Sequence, residues 1–512
     1  MNLTLTQQYL DAVSTNQLYI RNRDRWQYLL DAYIGGISWQ ESGNLTRYVN
    51  ETVAEYNSRL MSTHLENHCK SVISTYTSFL FRQEPDRELG DLELDQSIQS
   101  FLEDADMDGR SLNAFMKEVA IWSSVFGHAW ILVVKPNTGS LTKGDELAQD
   151  VRPYVNLVTP LTVTDWRWRR LANGRHNLEY FKYIEEGNET VSTIREWTTT
   201  EIHTWIVDHQ SKHVMEHYTE PNPLGEIPAI IAYNQKSPVR GIGVSDISDI
   251  ADAQRFIYNL NSEVEQSIRI NGHPALVKTA GTEASAGAGA IVQIEDNLDP
   301  GLKPYILSVS TDINSIFTAI NHATDAIDKM ANTGSIRSTE SRRMSGVAQQ
   351  QEFELLNSKL SEKADNLQLV EENIWQWYAY YQGRTWSGEI EYPNSFNIRD
   401  TAGEIDVLLK ARQAATDPRV LVLIDHEIVD LLGEDADVIL SEVQATATAT
   451  ATVASTEGEH PSLATSSQAD RLAHIQTMLM EGYSNDEILA LHPELTLQDI
   501  IDAGAEAARN NN

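Results

Sequence analysis

The longest uninterrupted pattern in the chain runs from Val347 to Gln382 and contains neither proline nor glycine. Within it Phe353, Leu356, Leu360, Ala364, Leu367, Val370, Ile374, Trp377 and Tyr381 recur in steps of three and four, which puts them on one side of an α-helix. At about 1.5 Å per residue this helix is on the order of 50 Å long, enough to cross a whole domain. Whatever the chain folds into must be arranged around that spine, within a subunit or between subunits.

Two further amphipathic runs precede it. Ile247, Ile250, Ala253, Ile257, Leu260, Val264 and Ile268 follow helical spacing and stop at Asn271-Gly272-His273-Pro274, a strong C-terminal signal. Ser245 is the expected N-cap, with Asp246 and Asp249 in the first turn, where the helix dipole favours carboxylates. Ile313, Ile316, Ile320, Ala323, Ile327 and Met330 form the second run, which ends at Asn332-Thr333-Gly334. Between them lie two strand-like pieces, ALVKT (275–279) and AIVQIE (290–295), joined by small, flexible residues. Two long helices bracketing a small β-rich insert read as a stalk with a tip.

Upstream, residues 5 to about 125 carry mostly helical spacing, first through Tyr9, Val13, Leu18, Trp26, Leu29 and Tyr33 to Gly35-Gly36, then over roughly Arg47 to Phe81. From Gly127 the pattern changes to short apolar segments at 129–134, 154–159, 161–168, 178–184 and 203–208, separated by turns. An antiparallel sheet is expected there, and an α+β domain to about residue 235. The segment 388–398 reads as a strand returning to an earlier sheet.

The chain has 512 residues, with 74 Asp+Glu against 39 Lys+Arg, a net charge of −35. Residues 401–512 hold 20 acidic and 5 basic residues, so this end carries −15 of that total. ATATATATV (445–453) fits a loose linker as well as an edge strand. A helical end follows, with Ser484 and Glu487 as a capping box and a shorter analogue at Thr496 and Asp499. A surface this acidic repels nucleic acid and anionic membranes at long range, which argues against a repressor-like or histone-like role. It does not exclude a protein that must let DNA pass without holding it. One cysteine, Cys69, cannot make an intrachain disulfide or a four-cysteine zinc site. The opening residues show no basic stretch followed by an apolar core, so no secretory signal is expected. No apolar run nears the ~20 residues of a membrane helix, so no membrane partner is expected.

A search for catalytic chemistry returns little. His213-Val-Met-Glu-His217 matches the H-x-x-E-H pattern of inverted zinc peptidases. That chemistry needs both imidazoles on one helical face, whereas the flanks read as a hairpin, where residues four apart lie ~13 Å from each other. His64 and His68 have helical spacing on an expected helix, but the intervening glutamate is misplaced for H-E-x-x-H and no third ligand is evident. Gly241-Ile-Gly243-Val-Ser-Asp lacks the third glycine of a dinucleotide loop and reads as a turn entering a helix. No P-loop and no G-x-S-x-G elbow occurs. Catalytic, metal and cofactor residues are therefore expected to be absent. One basic feature stands out: Arg337, Arg342 and Arg343 against Glu340 in the loop before the spine, either a solvated loop or a contact with a polyanion.

The order of parts, an α+β domain, a helix, a β tip, a second helix, a polar loop and a very long helix, resembles the portal (head–tail connector) proteins of tailed bacteriophages. Residues 227–276, IPAIIAYNQKSPVRGIGVSDISDIADAQRFIYNLNSEVEQSIRINGHPAL, look like that family's passage from wing to stem. Residues 345–374, SGVAQQQEFELLNSKLSEKADNLQLVEENI, are similar to the segment after its tunnel loop. The resemblance covers about residues 1–420 and is one of architecture rather than of a short signature.

The resemblance implies a homo-oligomeric ring of about twelve subunits at one capsid vertex of the virion, assembled in the host cytoplasm, with double-stranded DNA passing along its axis. It implies a wing over 1–243 and 347–417, stem helices over 244–272 and 311–332, a clip over 273–310 and a tunnel loop over 333–346. Residues 418–512 would form a crown-like acidic end. The wing would meet major capsid and scaffolding protein, and the clip would dock terminase and later a head–tail adaptor. Lys278, Glu283, Glu295 and Asp296 are the clip's expected docking residues, and Arg337, Arg342 and Arg343 the expected DNA contacts. Two rival readings share parts of this pattern: an oligomeric scaffold or adaptor without a channel, and a zinc-dependent hydrolase using the His203–His217 cluster.

Overall fold

In the computed structural model the chain is a mixed α+β protein whose described strands form two two-stranded ribbons, a three-stranded sheet and a five-stranded sheet, all antiparallel. The structure describes residues 2–136, 142–272, 275–277, 299, 301, 305–307, 312–334, 346–396, 401–415 and 418–431, together with 475 and 488. Internal contacts divide the chain into Met1–Asn397 and Ile398–Asn512.

The first unit opens with five helices, α1 (Asn2–Ala12), α2 (Gln17–Ile34), α3 (Gly36–Glu41), α4 (Val53–Ser62) and α5 (His68–Leu80). The helical pattern expected over 47–81 is thus interrupted. Thr52 and Glu55 form a capping box that starts α4, and the Asn67 side chain accepts from the Lys70 N–H to start α5. Each cap offers the backbone a new start, so a pattern continuous in period is divided in space. His64 consequently lies in the connection and His68 in the first turn of α5, so the two do not share a helical face.

There follow β1 (Asp86–Glu88), α6 (Ser97–Glu103), α7 (Leu112–Phe126), β2 (His128–Val134), α8 (Lys143–Ala148) and β3 (Tyr154–Val158). A meander then runs through β4 (Val163–Arg170), β5 (His176–Gly187), β6 (Val191–Thr198), β7 (Glu201–Asp208) and β8 (His213–Pro221), each strand paired antiparallel with the next. After β9 (Ala229–Tyr233) come α9 (Ser248–Gly272), β10 (Ala275–Val277), β11 (Tyr305–Leu307), α10 (Ile313–Ala331), α11 (Gly346–Tyr381) and β12 (Glu389–Glu391).

Strand β2 lies between β3 and β9, and α7 and α11 pack on this three-stranded sheet. Six of its seven residues are buried, which is why His128–Val134 reads as an unbroken apolar run rather than an alternating one. Strand β6, VSTIREWT, escapes a search for apolar runs because its buried Ser192, Ile194 and Trp197 are interleaved with polar residues. Strand β12 does return to an earlier strand, but its partner is β1 in a separate two-stranded ribbon.

The long helix α11 buries Leu356, Leu360, Ala364, Leu367, Val370 and Ile374, as its spacing predicts. In the last two turns the fully buried positions are Trp375, Tyr378 and Ala379, and the two aromatic rings meet Phe101, with ring centroids 5.2 and 4.8 Å away. Fully burying side chains of this size contributes on the order of 2 kcal/mol each, so the spine is a core element of this unit. In the second unit, α12 (Thr401–Ala414) and α13 (Pro418–Leu431) pack on each other, with Arg412 Nε 2.5 Å from Asp425 Oδ1. The Ala-Thr run and the expected helical end over 468–512 lie outside the described residues, apart from Ile475 and Ile488, both buried. Among the described residues no helix is long and apolar enough to cross a membrane.

Two glycines bring the stalk entry against the body. Gly127, at φ +89°, follows α7, and a Cβ on either Gly127 or Gly243 would run into the other's backbone. Gly243→Ala should therefore lower stability by about 3 kcal/mol, because backbone cannot swing aside as a side chain can. Gly109→Ala, at φ +87° but with open space around it, should cost only about 1 kcal/mol of left-handed strain. Urea unfolding of the two variants separates these costs, and equal midpoints would mean that the Gly127–Gly243 contact carries no weight.

Candidate functional site

Helices α9 and α10 pack against each other, and β10 pairs antiparallel with β11, Leu276 opposite Ile306. The strand at 275–277 thus finds a partner in its own chain at 305–307. The second strand-like piece, 290–295, lies outside the described residues. Helix α10 ends where Asn332 takes a left-handed conformation, φ 56° and ψ 33°, and the Thr333 N–H donates to the Asp328 carbonyl. That is the arrangement by which asparagine closes a helix in place of glycine.

The near end of the stalk is gripped by polar side chains of the helical N-terminal part. Tyr28 OH donates to the Ala251 carbonyl at 2.8 Å, and Arg25 Nη2 to the Ser248 carbonyl at 2.5 Å. Gln254, fully buried on α9, accepts the Cys69 N–H at 2.9 Å and donates to the Ala32 carbonyl at 3.0 Å, so one amide joins α2, α5 and α9. Farther along, buried Arg59 pairs with Glu51 at 2.8 Å and donates to Ser262 Oγ at 3.0 Å. Each neutral bond of this kind contributes about 1 kcal/mol and the charged ones roughly twice that, but their positions matter more than their sum.

The entry to α9 differs from the sequence expectation. The helix begins at Ser248, so Ser245 is not its N-cap and Asp246 is not in its first turn. Ser245 Oγ donates to the Val125 carbonyl at 2.6 Å, and the Asp246 N–H donates to the Ser124 carbonyl at 3.0 Å. These donors satisfy carbonyls at the C-terminus of α7 that have no partner within that helix. Tertiary need has taken a residue that local rules would assign to a cap. His128 adds its Nδ1 as acceptor for the Gly243 N–H at 3.3 Å, and full burial holds its imidazole neutral, with a pKa of about 3.

Asp246 turns inward to meet α11. Its Oδ2 lies 2.5 Å from Lys363 Nζ and its Oδ1 3.2 Å from Lys359 Nζ. Lys363 also donates to Ser124 Oγ at 3.0 Å and to Asn234 Oδ1. Lys359 donates to Tyr76 OH at 3.0 Å, and that hydroxyl donates to the Ala331 carbonyl at the end of α10 at 2.5 Å. Burial alone would raise the Asp246 pKa, but the two ammonium groups outweigh it and bring the carboxyl down to about 2. Burial pulls Lys363 below the ordinary lysine range, with Asp246 opposing it. At Lys359 burial is outweighed by Asp246 and Tyr76, and the pKa rises. A second buried carboxylate, Glu371, accepts from Arg87 at 2.5 Å, Tyr392 at 2.7 Å and Trp375 at 3.2 Å, tying the same long helix to the β1–β12 ribbon.

Of the residues singled out from the sequence, Arg337, Arg342, Arg343, Lys278, Glu283, Glu295 and Asp296 lie outside the described residues. Cys69 is buried in the helical core. Gly241 sits at φ +85° with Trp166 where a Cβ would be, so its need is steric and there is no phosphate cradle to explain. His213 and His217 lie on β8, as the hairpin reading expects, and the contact His217 makes is with His203 across the strand pair, not with His213. Among the described residues no three His, Cys, Asp or Glu side chains gather to hold a metal ion. The Lys359–Lys363–Asp246 cluster was missed: two lysines four apart on a helix read as a solvated face. A clue was that Lys363 stands beside Ala364, three residues after Leu360, inside the apolar arc.

No family model matches the chain, and no curated protein matches it. Among solved structures it is similar to a chain from the neck of an empty GTA particle computed with C6 symmetry, at 12% identity and a TM-score of 0.44, covering 76% of this chain and 98% of that one. A chain from the virion of a native gene transfer agent particle gives 11% identity and 0.43, over 78% and 98%. One from the neck of a native GTA particle computed with C12 symmetry gives 12% and 0.43, over 77% and 98%.

Lys363→Met should destabilise the chain by about 2 kcal/mol, since Asp246 keeps Lys359 as its counter-ion, while the double variant Lys363→Met/Asp246→Leu, which strands Lys359 without a carboxylate, should lose about 3–5 kcal/mol. The Asp246 carboxyl is more acidic folded, at about 2, than at its ordinary 3.8, so its stabilisation is complete above that ordinary value and fades as pH falls towards 2. About 2 kcal/mol of acid-labile stability is expected from this shift. Urea midpoints between neutral pH and pH ~2 should fall more steeply in the parent than in the double variant. Parallel curves would remove Asp246 from the acid response.

Proposed function

We propose that the chain is the subunit of a phage portal: a ring at one capsid vertex through which DNA is packaged and later ejected. The observation that supports this reading best is connectivity. A two-helix stalk with a β pair between its helices leaves an α+β body, and the chain re-enters the body as a 36-residue helix whose buried lysines meet both feet of the stalk. In this reading residues 1–243 and 347–417 are the wing, 244–272 and 311–332 the stem, 273–310 the clip, 333–346 the tunnel loop and 418–512 the crown.

The stalk's surface suits a ring. Phe256 and Ile268 on α9 and Phe317 and Met330 on α10 are exposed in the single chain. Large apolar side chains standing in water on two adjacent helices fit burial against neighbouring copies. The charge suits a conduit. Each phosphate neutralised by the wall adds salt-sensitive affinity, and so drag, which a subunit of net charge −35 avoids over most of its surface. Arg337, Arg342 and Arg343 then supply a few sequence-independent backbone contacts at the narrowest ring. The clip, with Lys278, Glu283, Glu295 and Asp296, docks terminase and afterwards a head–tail adaptor, and the wing meets capsid and scaffolding protein. The role is structural, and no reaction is assigned to the chain.

Cryo-electron microscopy of the purified protein, classified by end-on symmetry, tests the reading: rings of about twelve copies with a channel wide enough for B-form DNA are expected. Monomers, dimers or closed assemblies without a channel would overturn it and favour a scaffold or adaptor. Phe256→Glu with Ile268→Glu should abolish rings while leaving the monomer's circular dichroism intact. Substituting Arg337, Arg342 and Arg343 together should change packaging or DNA retention in assembled particles. If neither changes, the tunnel loop does not touch DNA.

A further inference from the structure

The meander sheet carries a constellation that the portal reading does not use. On one face of the β7–β8 pair, His203 stands opposite Thr219 and Trp205 opposite His217. His203 Nδ1 and His217 Nε2 are 3.3 Å apart, His203 Nδ1 and Thr219 Oγ1 3.0 Å, and His217 Nε2 and Thr219 Oγ1 3.4 Å. Three donor atoms thus form a nearly equilateral triangle. An ion held tetrahedrally at about 2.0–2.1 Å from each donor separates the donors by about 3.3–3.4 Å, and the observed edges fall at or just below that spacing.

The surroundings complete the pattern. Glu201 Oε2 lies 3.5 Å from His203 Nε2, the ring nitrogen facing away from the triangle. A carboxylate at that place sets the imidazole's tautomer and leaves Nδ1 with its lone pair available, the usual support of a metal-binding histidine. Trp205 stacks on His217 at 3.6 Å and 7°, and is itself packed against the small core formed with α1, so the second imidazole is held from below. Glu196 on β6 is the cross-strand neighbour of His203, and its charge favours a cation on this face. His217 and Thr219 are exposed, which leaves an open side for water.

We propose that His203, His217 and Thr219 are the three protein donors of a site for a borderline divalent transition ion of the Zn²⁺ or Ni²⁺ class, with water completing the shell. Two imidazoles and a hydroxyl select such ions over Mg²⁺ and Ca²⁺, which prefer all-oxygen shells. The ion clips β8, the edge strand of the five-stranded sheet, to β7 and so holds that edge strand against fraying. Glu201 sits behind a ligand and not beside the open position, and no reaction is assigned to the site. It differs from the H-x-x-E-H pair along the strand, because it is built across two strands.

The test is isothermal titration calorimetry of the chelator-treated full chain with ZnCl₂, and with MgCl₂ as comparison. One saturable equivalent of Zn²⁺ per chain is expected, with none of Mg²⁺. His203→Ala and His217→Ala should each abolish it, Glu201→Gln should weaken it about tenfold, and His213→Ala should leave it unchanged. Hydrogen exchange of β8 amides should slow on adding Zn²⁺ in the parent and in His213→Ala but not in His203→Ala or His217→Ala. Should an alanine variant misfold, electron paramagnetic resonance of the parent with one equivalent of Cu²⁺ serves instead, with two imidazole nitrogens expected on the ion. No saturable Zn²⁺ binding, undiminished binding in a folded His203→Ala or His217→Ala variant, or a Cu²⁺ spectrum without two imidazoles would overturn the site.

Discussion

The buried contact of Asp246 with Lys363 and Lys359 is the constraint on which the rest of the first unit depends. Taking three charges out of water costs several kcal/mol per ion, and their mutual attraction repays this only where geometry and extra hydrogen bonds are good. Ser124, Asn234 and Tyr76 provide those bonds. A core of leucines at this place would hold as firmly or more so, but it would tolerate a shift along the helix axis. Lysines one turn apart around a single carboxylate do not. The cluster therefore specifies register: it says which turn of α11 faces the stalk.

That register has a mechanical consequence. Asp246 stands just before α9, and Ala331 is the last residue of α10, so the two positions are separated in sequence by both helices and the β10–β11 pair. Both are bonded to one stretch of α11, Asp246 directly and Ala331 through Tyr76 and Lys359. Glu371 fixes the same helix to the β1–β12 ribbon two turns later. The spine thus joins stalk, three-stranded sheet and ribbon by charges that cannot be stretched without exposing an unpaired ion in a medium of low polarity. Stalk and body are expected to move as one piece at this end, and the segment that follows α10 starts at that joint.

What could be read in advance followed from period. The stripes of α9, α10 and α11 were legible because a helix repeats its buried face every three to four residues, whatever it packs against. The strands β2, β3, β4, β5 and β7 were legible as apolar runs. The misreadings share a cause, a local rule overridden by a distant partner. Ser245 and Asp246 look like a cap and a dipole-facing acid, but the carbonyls of α7 and the lysines of α11 claim them first. The 47–81 pattern looks continuous because caps interrupt space without interrupting period. Lys359 and Lys363 draw no notice in the sequence, because charges four apart on a helix usually face water.

The histidines show the same limit from the side of chemistry. Motif reading pairs His213 with His217 because they are near in sequence, but a strand carries residues four apart away from each other. Register brings His217 to Trp205, and so to His203, fourteen residues back along the chain. That register is set by the turn between β7 and β8 and by a bulge between Ile206 and Val207, neither of which a spacing rule contains. A bulge at that point adds one residue to the count between the imidazoles while keeping both on one face. Constellations on meander sheets are therefore to be sought by cross-strand pairing once a register is known, whereas those on helices can be sought from the sequence directly.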